Sequence, residues 1–239
     1  MRKFYEKNRV WFAVLWIVLY CVVMTNLKGN FGYQSIAMFL GINAFAVGIT
    51  LFVKMNHLEK ECGIASWPRD IGRFLFFIPM WILATGNLWD GFALSYLGIE
   101  MVFAVLSMIL VGFVEEMIFR GFLFKAMLSE ERTSVAIIVS ALTFGMGHII
   151  NLFAGQTSFE TILQVIFAVA WGFILTFVFY KSGSLWPCII AHSMIDAFSL
   201  FGADNALVDQ IYIVTTIVVA VVYCIYLARI KVETNNEIQ

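Results

Sequence analysis

Residues 101–120 read MVFAVLSMILVGFVEEMIFR, and the fold turns on how that stretch is interpreted. No charge occurs from Met101 to Val114, so the segment belongs in lipid or in a protein interior. Glu115, Glu116 and Arg120 then follow without a break. Comparable apolar runs occupy residues 10–27, 31–53, 74–89, 133–159, 161–180, 185–201 and 211–228. A hydrocarbon layer about 30 Å thick needs about 20 such residues per helix. The reading is therefore an all-α, polytopic membrane helical bundle of about eight transmembrane helices. Pro79 implies a kink in the short third run, whereas Pro187 suits a first helical turn.

Composition agrees. Of the 239 residues 62% are hydrophobic and 13% charged, with a mean hydropathy of +0.89. A soluble chain is about a quarter charged, so a soluble enzyme and a disordered scaffold are excluded. A net charge of −1 without a basic patch excludes a nucleic-acid partner. A transmembrane barrel would show short alternating segments instead. The four cysteines have no CxxC spacing and read as free thiols. One membrane-embedded domain, 1–239, is expected, with its chemistry concentrated in 100–200 and the bilayer as its first partner.

Loop charges orient the bundle. With the amino terminus in the cytoplasm, the inside segments are 1–9, 54–73, roughly 115–133, 181–184 and the tail from residue 229. They hold all of the 15 Lys and Arg except Lys28. The outer connections carry Asp90, Glu100, Glu160, Asp204 and Asp209. Cytoplasmic enrichment of Lys and Arg sets orientation, so both termini are expected inside, in a cell membrane. The 54–73 loop, with Trp67 and Ile71, reads as an ordinary solvated connection, with a segment lying on the membrane surface as the alternative.

Ionisable groups inside membrane spans are costly and mark function or a buried partner. They gather here in three places: Glu115 to Arg120, Phe144 to His148, and His192 to Asp196. Glu116 and Arg120 are four apart with the acid first, the favoured order for an intrahelical ion pair. Glu115 projects about 100° away, which leaves its carboxylate free. Glu116 and Arg120 thus read as structural. His192 and Asp196 share a face. Phe144 is adequately explained as core packing, and Gln164 as an interhelical hydrogen bond.

A turn near Glu130 and Glu131 would set Glu115 and His148 at similar depth on antiparallel helices. Arg120 and Lys125 are best placed in water or snorkelling, which puts Glu115 about 10 Å below the cytoplasmic surface, seven residues at about 1.5 Å each. His192 would reach nearly that level, so the three groups are expected in one cytoplasm-facing cavity. Gly145 and Gly147 would permit close packing or substrate approach. A carboxylate beside an imidazole can activate water, and further donors can stabilise an oxyanion. The same groups can instead ligate zinc, though HExxH is absent and the ligands would come from three helices.

Glu115-Glu116-x-x-x-Arg120-Gly121, Phe144-x-x-x-His148 and His192-x-x-x-Asp196, in that order, resemble the three motifs of the CAAX-processing and bacteriocin-processing (CPBP, or Abi) intramembrane protease family. The resemblance spans about residues 100–200. It implies an endopeptidase that cuts a membrane-associated peptide or protein near the cytoplasmic face. Glu115 would activate water with His148, while His192 and Asp196 support the oxyanion. Asp196 stands where the family often has Asn, so an ionised Asp would have to orient His192 or be protonated. A glutamate mechanism with no cofactor is favoured, with zinc as the alternative. Bacterial relatives are associated with bacteriocin immunity, peptide maturation and pheromone processing. Two other functions compete. A noncatalytic immunity protein or sensor-kinase scaffold would be expected to lose one of Glu115, His148 and His192. A proton-coupled transporter would show paired repeats and interrupted helices.

Overall fold

The computed structural model describes residues 1–68 and 77–230. It is a polytopic helical bundle. The helices are α1 (Arg2–Lys7), α2 (Arg9–Phe31), α3 (Ile36–Met55), α4 (Ile78–Ala84), α5 (Gly98–Glu116), α6 (Lys125–Glu130), α7 (Thr133–Gly147), α8 (Ser158–Ser182), α9 (Trp186–Phe198) and α10 (Ala206–Arg229). A π-helical stretch, Met117–Phe124, joins α5 to α6, and a 3-10 stretch, His148–Ala154, follows α7.

Among the described residues six helical segments are long and apolar enough to cross a membrane. They are α2, α3, α8, α10, the continuous Gly98–Glu130 and Thr133–Phe153. The other two expected spans correspond to α4 and α9. The 13 residues of α9 extend only about 20 Å at 1.5 Å per residue, short of the hydrocarbon thickness. Its apolar run continues, but the chain turns after Phe198, and Phe201 accepts a backbone hydrogen bond from Ala93. Pro79 lies in the first turn of α4 instead of kinking a longer helix, and Pro187 opens α9 as expected. Residues 69–73 of the expected loop, 74–76 of the third run and the tail from 231 lie outside the described residues.

Local chemistry sets the boundaries. The Ser35 hydroxyl accepts from the Met38 N–H at the start of α3. Thr157 and Glu160 form a reciprocal capping box on α8, and Gly183 ends that helix at φ +67°, a left-handed conformation that costs glycine little. Small residues then decide which helices meet. A Cβ on Gly112 would lie 2.6 Å from the Ser193 nitrogen, so α5 and α9 pack nearly backbone to backbone. Gly172 gives α8 the same closeness to Ala141 of α7. Outward faces stay apolar, as with Val18 and Val22 of α2 and Val214, Val218 and Val221 of α10.

The basic segments meet at one end. Tyr5 and Arg9 both donate to Glu61, at 2.8 and 2.6 Å. The Ser184 hydroxyl donates to Ser66 O, the Leu185 N–H to Gly63 O, and Lys181 Nζ to Ile230 O. The described part of the 54–73 loop is therefore folded against α8 and α9, with Cys62 fully buried and Trp67 stacked on Trp186. It is not the solvated connection expected. Tyr5, Phe12, Phe52 and Phe122 pack edge-to-face and stacked beneath it. The opposite end holds the contacts of Asn87 with Ile195 O and of Lys28 with Asn151.

Candidate active site

The floor of the site is built on the α5–π junction. Arg120 and Glu116 have no exposed side-chain surface, and Arg120 donates to Glu116 Oε1 at 2.7 Å. A guanidinium offers five donors in a fixed fork, and this one reaches toward α8 as well. Its Nε donates to Thr176 Oγ1 and one terminal nitrogen to Gly172 O, each at 3.4 Å. Its carbon sits 4.2 Å from the Phe144 ring centroid, a cation–π contact with α7. Arg120 thus ties three helices together at the bundle centre. The expectation of a solvated or snorkelling Arg120 is corrected: Glu116 and these acceptors replace water.

His192, from α9, lies directly above. Its Nδ1 is 2.9 Å from Glu116 Oε1. An ionised carboxylate only accepts, so Nδ1 carries the proton and Nε2 is turned the other way. There Nε2 lies 3.8 Å from Glu115 Oε2 and 3.5 Å from Asp196 Oδ2. Glu116 therefore does more than pair with Arg120, because it also fixes the imidazole.

Glu115 points into a different environment, as the helical rotation requires. The Tyr20 hydroxyl of α2 donates to its Oε1 at 2.6 Å, which leaves Oε2 facing the histidine. Tyr20 escaped the sequence reading. The available signal was a phenol well inside a span, away from the interfacial depth where tyrosine is usual.

His148 begins the 3-10 stretch, so α7 stops one residue before it instead of carrying it mid-helix. Glu115, His148, His192 and Asp196 line one cavity of about 300 Å3 with Tyr20 and Phe144. The Phe144 ring meets both imidazoles edge-on, at centroid distances of 5.6 Å to His148 and 5.4 Å to His192. Its role exceeds core filling, since it spaces the histidines and stacks on Arg120. The two motif glycines divide their work: Gly145 presses against Val169 of α8, whereas Gly147 lines the cavity.

The direction of the cavity differs from expectation. From Glu115 it extends past Met24 and Lys28 of α2 to Tyr33, Asn87, Asn151, Gln164 and Ser199. These residues belong to the end opposite the basic segments. Toward the basic end the next layer is Arg120, Phe122 and Phe124, none more than 1% exposed. Since Arg120 needs no solvent, nothing pulls the site toward that surface.

Zinc is poorly accommodated. No group of three or more His, Cys, Asp or Glu among the described residues is arranged to hold a metal ion. A catalytic zinc takes three protein ligands at about 2.0–2.3 Å. Here His192 Nδ1 is occupied by Glu116, and Arg120 occupies that same carboxylate oxygen.

The comparisons with known proteins bear on the same segment. No curated protein matches the chain. Residues 97–198, which contain all three motifs, match the family described as type II CAAX prenyl endopeptidase Rce1-like.

Proposed function

We propose that this chain is a glutamate-type intramembrane endopeptidase of the cell membrane, acting on a membrane-associated peptide or protein. One observation carries the reading: Glu115, His148 and His192 line a single cavity inside the bundle, with Glu115 Oε2 only 3.8 Å from His192 Nε2. That separation exceeds a direct hydrogen bond and suits a reacting group held between the two. Glu115, steadied by Tyr20, takes a proton from water while the water oxygen bonds to the scissile carbonyl carbon. His148, on the cavity wall, orients that water. His192, protonated on both nitrogens, donates from Nε2 to the developing oxyanion. The C–N bond then breaks, and the proton held by Glu115 passes to the leaving amine. Asp196, beside Nε2, orients the imidazole edge.

The test is the purified full chain in liposomes, with processing of a co-reconstituted membrane peptide library read by mass spectrometry. Glu115→Gln should reduce cleavage by about 100- to 10,000-fold, the usual contribution of a general base, while accumulating normally. Chelator treatment should leave native cleavage unchanged. Full cleavage by the Gln variant would overturn the assigned base, and loss of cleavage on chelation, restored by zinc, would overturn the metal-free mechanism.

A further inference from the structure

We infer that the Glu115 cavity is entered from the extracytoplasmic side, so that its substrates are peptide segments presented on the outer face of the membrane. The word substrate rests on the protease reading, but the route of access does not.

Helix α2 serves as a ruler. At its start Arg9 bonds Glu61 at the basic end, in the middle Tyr20 bonds Glu115, and near its far end Lys28 bonds Asn151. At about 1.5 Å per residue, Glu115 lies about 16 Å from the Arg9 level and about 12 Å from the Lys28 level. The cavity occupies the second interval. Its lining there turns polar, with Tyr33, Asn87, Asn151, Gln164 and the exposed Ser199. The first interval is filled by the ion pair of Glu116 with Arg120 and by Phe122, all buried. Among the described residues, water and peptide have a path from one end only.

Charge identifies that end. Every Lys and Arg of the chain except Lys28 and the buried Arg120 falls in the segments assigned to the other end. Asp90, Glu100, Glu160, Asp204 and Asp209 fall in the connections on the cavity side. Inverting the bundle would place all the basic segments outside, against the charge rule that governs membrane insertion. Lys28 is the exception because it lines the cavity itself, with an amide, Asn151, for its partner.

A membrane-impermeant maleimide tests this on the full chain in sealed right-side-out and inverted vesicles. Ser199→Cys marks the mouth, Asp204→Cys the adjoining loop and Lys60→Cys the basic end. Cys21, which lines the cavity, and Cys224 are partly exposed and are replaced by Ser in every labelled chain. Cys62 and Cys188 are buried, and burial pushes the Cys62 thiol up to about 12. The same chain without an added cysteine measures what remains. Ser199→Cys and Asp204→Cys should label at least tenfold faster in right-side-out vesicles, and Lys60→Cys only in inverted ones. The reverse pattern overturns the inference, as does a Ser199 thiol that labels from neither side. The labelling does not depend on catalysis. Failure of the protease reading, seen as cleavage retained by Glu115→Gln, therefore leaves it intact.

Discussion

Glu115 and Glu116 are chemically identical neighbours, yet they belong to opposite regions of the molecule. Glu116 faces a packed floor in which Arg120 and His192 meet its Oε1 and Arg120 in turn reaches Thr176 and Gly172, and neither Glu116 nor Arg120 has exposed side-chain surface. Glu115 faces a cavity wall, where Tyr20 holds one oxygen and the other looks across to His192 Nε2. The difference comes from about 100° of helical rotation per residue. A buried ion is tolerated when its partners are fixed, and is useful for chemistry when one face is left open. The floor positions His192, and the wall holds the group that is to react with water.

Breaking the floor should have the largest effect on stability. Arg120→Met removes the cation but leaves Glu116 buried, and stranding one member of a buried pair costs about 3–5 kcal/mol. Thermal unfolding in detergent should show that loss, with reduced accumulation in the membrane. Adding Glu116→Gln to Arg120→Met should recover part of it, since the uncompensated charge is gone. Two losses that simply add would show that the pair is not coupled, and the floor would not be one unit. A smaller loss is expected where floor and wall are pressed together. In Gly112→Ala the new methyl would lie 2.6 Å from Ser193 N and 2.8 Å from Ser193 Cα, backbone atoms that cannot swing aside. Overpacking of this kind costs about 1–3 kcal/mol. Because Ser193 follows His192, cleavage should fall together with stability. Unchanged cleavage in a destabilised protein would mean that α9 yields without moving the imidazole.

The same contrast explains what the sequence could reveal. Long charge-free runs are a local property, so most spans and the gathering of basic segments at one end were readable from composition and order. The separation of the two glutamates was readable as well, because it needs only helical geometry and the Arg120 spacing. Features that depend on tertiary partners were not. Arg120 was expected in water because an isolated guanidinium belongs there, and only the folded chain supplies Thr176, Gly172 and the Phe144 face. That error drew the cavity toward the wrong end. His148 sits at a helix break that an uninterrupted apolar run does not signal. Apolar run length likewise overstated α9, since a run records hydrophobicity and not where the helix turns. Tyr20 is one of eight tyrosines, and no spacing links it to Glu115, 95 positions away.

Tyr20 also supplies the finest test of the wall. Tyr20→Phe keeps the ring that packs against Phe45 and removes only the hydroxyl that donates to Glu115. Losing one hydrogen bond to a charged group costs about 1.5–3 kcal/mol, and an ordinary one about 0.5–1.5. Glu115 can regain part of the loss from the cavity it faces, so the lower range applies, or about two- to tenfold in rate. The fall should appear in kcat, with KM and the unfolding temperature nearly unchanged, because Tyr20 steadies the base without meeting the substrate. A rise in KM alone would move Tyr20 to the substrate path along α2. A fall in stability with unchanged turnover would return it to ordinary packing and leave Glu115 held by the cavity alone.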